Sequence, residues 1–271
     1  MKKGLAAGVL TLGLAAAAAV WVGRAPRFAH AVPDYPMVDL TGVVARAEAG
    51  KADYRLLFAQ TGLGAPAVDA LLEEGRGGEL EDFQARYFAP CAWKTVKGAA
   101  VVRLEVTEKD FEFAPLEKGD ILLTPSSRCG GWRNGHAALV VDAQEGLVLE
   151  AYSLGCPSQL SSLSTWQDKA AVAVLRLKGV SEERRARMAD WARENLVGLP
   201  YGLFSGLAWL GESTGPPATQ CAHLVWCACA AFGYDIDGCG GWPVTPRDIS
   251  LSPLLETVQV WGLPQGQRWP S

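Results

Sequence analysis

Cys221 and His136 are the two side chains best suited to do covalent chemistry together. Cys221 lies where an apolar stretch turns helical, in Pro216-Pro217-Ala218-Thr219-Gln220-Cys221-Ala222-His223-Leu224-Val225-Trp226. A cysteine at a helix start feels the positive end of the helix dipole, which favours thiolate over thiol. His136 opens a strand-like run, Gly135-His136-Ala137-Ala138-Leu139-Val140-Val141. A strand start holds a ring rigidly and leaves it open to solvent. The pair reads as nucleophile and base of a cysteine hydrolase. His223, two residues after Cys221, is the rival base, but two helical positions are about 200° apart and the side chains diverge.

A base needs a third group to accept from its second nitrogen. Glu150, in Val148-Leu149-Glu150-Ala151-Tyr152, is the candidate, because a charge inside an apolar run requires a partner if buried. Its strand should pair with the His136 strand through the turn from Asp142 to Gly146. Asp142 is a weaker rival, since its turn position already accounts for it.

The elements around these residues follow from patterning. Lys2 and Lys3 precede an apolar stretch from Leu5 to Val22, and Ala29-His30-Ala31 offers a small-x-small cleavage site. Residues 1–31 are therefore expected to be a signal peptide or an N-terminal membrane anchor, and the rest extracytoplasmic, secreted or held at the cell envelope. Residues 32–98 read as a helical lead-in of two or three helices, punctuated by Gly62, Gly64, Pro66, Gly75, Gly77 and Gly78. Residues 99–271 read as the main domain. Strands are expected over 99–106, 121–123, 137–141, 147–151 and 172–177. A helix capped by Ser181 should run to Asn195. A second should run from Cys221 to Phe232, stopped by Gly233, with a Pro/Gly-rich tail after it. The expected fold class is α+β, an antiparallel sheet packed on helices.

Bulk properties exclude some functions. Residues 1–31 hold four of the 25 basic residues and none of the 29 acidic ones, so the remainder carries eight more acidic than basic groups. That opposes nucleic-acid binding, which needs a basic surface. The seven cysteines are Cys91, Cys129, Cys156, Cys221, Cys227, Cys229 and Cys239. An odd count in an exported chain points to one free reactive thiol, leaving six for up to three disulfides. Cys129 and Cys156 flank the His136 and Glu150 strands, and a bridge between them would brace the site. His223, Cys227, Cys229 and Cys239 could be read as a zinc cluster, but Cys-x-Cys within a helix splays its thiols, so no metal is expected. Gly130-Gly131 and Gly240-Gly241 lack the following Lys-Ser/Thr of a phosphate loop, and no cofactor is expected. Trp132, Trp209 and Trp242 could line the cleft.

Several short motifs, in order, resemble NlpC-type papain-fold cysteine peptidases. Gly119-Asp120 with Ile121-Leu122-Leu123 is similar to their lead strand, Gly135-His136 to their histidine strand and Val148-Leu149-Glu150-Ala151 to their third-residue strand. Gly198-Leu199-Pro200-Tyr201 looks like their Gly-x-Pro-Tyr motif. Cys221 to Val225 sits where they carry the nucleophile helix, and Thr245-Pro246-Arg247-Asp248 resembles a downstream segment of one branch. Histidine and glutamate precede cysteine here, as in the circularly permuted, YiiX-like branch related to lecithin:retinol acyltransferase-type folds. The chain departs from the family in Cys221-Ala222-His223, where Cys-Ser-Glu is common, and in Gln220, where an aromatic is common.

The resemblance implies a permuted papain-like domain with Cys221 attacking a carbonyl, His136 handling the proton and Glu150 holding the ring. The Cys221 N–H would donate to the oxyanion, and Tyr201 could add its hydroxyl. The expected activity is that of an amidase or peptidase on cell-wall peptides. The alternatives are a lipid acyl hydrolase or acyltransferase using the same residues, and an inactive module that binds wall fragments.

Overall fold

A computed structural model describes residues 30–98, 101–108, 111–129, 133–202, 205, 216–241 and 243–270, with the Cys129 side chain excepted. Most of the predicted signal segment, and Gly130, Gly131, Trp132, Trp209 and Trp242, lie outside the described residues. Among the described residues no helix is long and apolar enough to cross a membrane.

The architecture is α+β. Four helices come first: α1 (Thr41–Glu48), α2 (Tyr54–Thr61), α3 (Ala65–Glu73) and α4 (Glu79–Phe88). Asp53 caps α2, its carboxylate accepting from Leu56 N at 3.0 Å, and Gly62 ends it in the left-handed conformation. Strands follow: β1 (Trp93–Lys97), β2 (Val101–Val106), β3 (Ile121–Thr124), β4 (Ser127–Cys129), β5 (His136–Asp142), β6 (Leu147–Glu150), β7 (Gln159–Ser162) and β8 (Val172–Leu177). Then come α5 (Glu182–Asn195), α6 (Cys221–Ala230), α7 (Pro246–Ser250) and β9 (Leu255–Trp261). The main sheet has the order β7-β6-β5-β3-β8-β9, and a small sheet has the order β1-β2-β4; all pairings between these strands are antiparallel.

The period-two geometry of the strands sends alternate residues to opposite faces. Ile121, Leu123, Ala137, Leu139, Val141, Ala173 and Leu175 pack with Met188, Ala189 and Ala192 of α5 and with Leu224, Val225 and Ala228 of α6. Leu122, Ala138, Val140, Val148, Val172, Val174 and Val258 pack with Val44 of α1, Leu57 of α2, Val68 and Leu71 of α3, and Leu80 and Phe83 of α4. Both faces of the central strands are therefore buried, which is why they read as unbroken apolar runs.

The lead-in has four helices rather than two or three, and it shares a core with the sheet. Its α2–α3 turn also covers the sheet edge. Gly64 N donates to Val258 O and Val260 N to Gly62 O, both at 2.8 Å, extending the ladder past β9. The Pro/Gly-rich tail contains a strand that the sequence reading does not include, β9. A register shift at Val258 leaves Val258 in the core on one face and Val260 in the core on the other, and the polar Glu256 and Gln259 further mask the pattern. Ser181 precedes α5 without capping a backbone N–H; its hydroxyl bonds the Glu183 carboxylate instead.

His30 and Ala31, at the end of the predicted signal segment, pack on the body. The His30 Nδ1 lies 2.7 Å from Ala170 O, its ring meets Trp261 edge-on, and Ala31 N donates to Gly262 O. Cleavage after Ala31 would remove the His30 contacts.

Candidate active site

The β5–β6 pairing places the base and the carboxylate. Leu139 faces Leu149 and Val140 faces Val148. In that register His136 and Glu150 are diagonal neighbours on one face, within reach of long side chains. Glu150 Oε2 lies 2.7 Å from His136 Nε2, both groups being buried. Asp142 does not compete, because its carboxylate accepts from Gln144 N and Glu145 N within the turn. The His136 ring also stacks on the buried Trp166 (5.5 Å between centroids, 19° between planes) and meets Tyr152 edge-on. Gly135, just before it, has a φ of 65°. A β-carbon there would collide with Trp269 and the Thr124 carbonyl, so only glycine delivers the ring to this position.

The sulfur arrives on α6, which packs against β5. Cys221 is the first residue of the helix, and its thiol is hydrogen-bonded to His136. With Nε2 turned to Glu150, Nδ1 is the nitrogen left for sulfur. Gln220 sets the helix start. Its Oε1 accepts from Ala222 N at 2.9 Å and from the Cys221 thiol at 3.5 Å, while its Nε2 donates to Val244 O at 2.7 Å. Val244 in turn precedes a capping box. Thr245 Oγ1 accepts from Asp248 N, and Asp248 Oδ2 accepts from Thr245 N. The Thr-Pro-x-Asp segment thus positions the residue that anchors the cap of the cysteine helix.

Two other family-like motifs are also structural. Asp120 is fully buried and bonds Arg176 through both oxygens, 2.7 Å to Nε and 2.8 Å to Nη2, tying β3 to β8. In Gly198-Leu199-Pro200-Tyr201, Pro200 O accepts from Thr219 N at 3.0 Å, and Thr219 O accepts from Gly202 N at 2.8 Å. This short bridge aligns the segment that enters α6.

A cavity of about 400 Å³ opens over the sulfur. Its described lining includes Cys221, His136, Thr124, Tyr152, Arg103 and Lys169. Tyr201 is not among the lining residues. It pairs with Thr219 through the backbone and packs beside the core, so the hydroxyl on the cavity wall belongs to Tyr152. Arg103 Nε donates to Glu105 at 2.9 Å and its Nη1 to the Tyr152 hydroxyl. Sequence reading missed Tyr152, Arg103 and Lys169. Tyr152 alone carried a signal, because it continues the Glu150 strand two positions on.

The electrostatics fit the geometry. Burial pulls the His136 imidazole down, but its bonds to Cys221 and Glu150 outweigh this and raise its pKa to about 9. Burial pushes the Glu150 carboxyl up, yet the His136 hydrogen bond and charge take it down to about 2. His223 behaves differently. It points away to Thr219 Oγ1 at 3.1 Å and lies against the Cys227 thiol, and burial lowers its pKa to about 4.

Among the described residues Cys156, Cys221, Cys227, Cys229 and Cys239 are free thiols, which excludes the expected Cys129–Cys156 bridge. Cys227 and Cys229 lie on α6 inside the apolar core, and Cys156 and Cys239 are at the surface. Helix packing, rather than cross-linking, accounts for the two buried thiols. No group of three His, Cys, Asp or Glu side chains able to hold a metal occurs among the described residues.

Comparison with protein-family models and with curated proteins finds no match. Among solved structures the chain has a distant likeness to one described as the crystal structure of metalloprotein yiiX from Escherichia coli O157:H7. The identity is 18% and the TM-score 0.40, over 58% of this chain and 99% of that one.

Proposed function

We propose that this chain is a cysteine hydrolase of circularly permuted papain-like architecture, acting on amide bonds. One observation carries the reading: a buried imidazole held on one side by a carboxylate and on the other by a sulfur at a helix start. The chain order of histidine strand, glutamate strand and cysteine helix supports the permuted arrangement. The basic and apolar N-terminal sequence supports export, and with it cell-wall peptides as the substrate class.

In the reaction, the Cys221 sulfur attacks the carbonyl carbon while His136 carries the thiol proton. The electron pair of the carbonyl moves to oxygen, which the Cys221 backbone N–H faces. Among the described residues no acceptor is paired with that N–H, as befits the first turn of a helix. Collapse of the tetrahedral species breaks the C–N bond, and His136 gives its proton to the departing amine. His136 then takes a proton from water, whose oxygen attacks the thioester and releases the acid and the thiol. Glu150 keeps the ring oriented and stabilises its charge.

A muropeptide digest read by mass spectrometry tests both bond and substrate. The native chain is expected to release peptide fragments, and Cys221→Ala to lose at least about a thousandfold in turnover. Full activity in Cys221→Ala overturns the thiol mechanism. Release of fatty acid from lipid or ester probes, with no peptide cleavage, overturns the amidase reading in favour of a lipid acyl hydrolase.

A further inference from the structure

A lysine with no hydrogen bond or ion pair among the described residues lines the cavity beside the thiol. Lys169 sits in the turn ahead of β8, where its backbone bridges to Glu105 and its N–H donates to Trp166 O at 3.1 Å. These bonds direct its side chain inward. The residue is only 7% exposed, and it lines the cavity that also holds Cys221 and His136. Among the described residues its ammonium makes no hydrogen bond and has no carboxylate at ion-pair distance. Of the three acids whose charge acts on it, Glu150, Glu105 and Asp168, Glu150 is bonded to His136 at 2.7 Å and Glu105 to Arg103 at 2.9 Å. Burial lowers the Lys169 pKa and the Arg103 charge adds to that, against the pull of Glu150, Glu105 and Asp168. An ammonium withdrawn from water without a hydrogen-bonding partner is destabilising. Holding Lys169 on the wall of this cavity, next to an Arg103 already paired with Glu105, makes chemical sense if something negative enters it.

We infer that Lys169, supported by Arg103, binds an anionic oxygen group of the substrate beside the carbonyl that Cys221 attacks. This rests on the reading of Cys221 as nucleophile. The group is a carboxylate or a phosphate, since both present several acceptor oxygens to an ammonium. Lys169 is thus a specificity residue: it selects peptides ending in, or branching to, an acid near the scissile bond, or a phosphate-bearing acyl donor.

The test uses two alkylating reagents of nearly equal size, iodoacetate and iodoacetamide, on the full chain. In each, the sulfur forms a bond to the methylene carbon and iodide leaves with the electron pair of the broken C–I bond. Only the first carries a carboxylate. The ratio of their rates at Cys221, mapped by peptide, is expected to fall about tenfold in Lys169→Met, the worth of one charge-assisted hydrogen bond. Lys169→Arg is expected to keep most of it. The neutral reagent corrects for any change in the thiol itself. In the native chain, acetate or phosphate at constant ionic strength should slow iodoacetamide labelling saturably, while acetamide does not. Stronger protection by acetate assigns a carboxylate, and stronger protection by phosphate a phosphate. An unchanged ratio in Lys169→Met, or no protection by either anion in the native chain, overturns the inference. Failure of iodoacetamide to label Cys221 in the native chain overturns the thiol reading beneath it, and the two failures are told apart by that one measurement.

Discussion

The imidazole of His136 is under two opposing influences, and their balance sets the pH behaviour of the site. Burial favours the neutral ring, while the bonds to Cys221 and Glu150 favour the charged one and prevail, taking its pKa to about 9. Glu150 is held down to about 2 by the same ring. The signs follow by linkage. His136 is raised from 6.5, so the stability it contributes is full below 6.5 and lost as pH rises through about 9. Glu150 is lowered from 4.5, so its contribution is full above 4.5 and lost as pH falls through about 2. Denaturant midpoints should show the native chain's advantage over Glu150→Gln to be greatest between pH 4.5 and 6.5 and to fade toward pH 9. The same substitution should move the alkaline limb of turnover below pH 9 by at least about one unit, because a neutral amide no longer stabilises the imidazolium that protonates the leaving amine. A difference between the two proteins that is flat from pH 5 to 10 would show that the His136–Glu150 contact is not ionic.

Among the elements, α6 has the most unusual start. Glutamine is seldom the residue that caps a helix, yet Gln220 caps this one, accepts from the thiol and ties the segment to Val244. Gln220→Ala removes all three bonds. It should lower stability by about 1–2 kcal/mol in chemical denaturation and slow Cys221 alkylation by loosening the sulfur. Stability and alkylation rate both at the native level would show that the cap does not position the thiol. The cysteine helix, the histidine strand and the glutamate strand were all legible as elements, since their apolar runs are bounded by Gly135, Gly146 and Gly233. Strands β7 and β9 were not. The first is a polar edge strand, Gln-Leu-Ser-Ser, with little to distinguish it from a loop. The second carries Glu256 and Gln259 inside its apolar run, and Gln259 is buried only because it bonds Ala114 N and Glu112 O, partners far away in the chain.

The whole molecule depends on covering both faces of one sheet. The sequence reads residues 32–98 as a separate lead-in, but their helices supply the cover for one face and close the β9 edge through Gly62 and Gly64. Gly62 has a φ of 72°, and a β-carbon on it would collide with the Val260 carbonyl. Gly62→Ala should therefore destabilise the chain by at least about 2 kcal/mol, measured as a fall in denaturation midpoint. A change below about 0.5 kcal/mol would mean that the edge contact is dispensable. Sequence alone singled out Cys221, His136 and Glu150, which the fold brings to one place, together with most of the elements that bear them. Helix starts, strand periods and turn glycines are local properties, readable within a few residues. Tertiary structure alone decides that Tyr152 lines the cavity and Tyr201 does not, that Cys156, Cys227, Cys229 and Cys239 stay free thiols, and that Lys169 is buried against the same cavity. These outcomes depend on strand order and register between distant segments, where a single-residue slip would exchange one face of the sheet for the other.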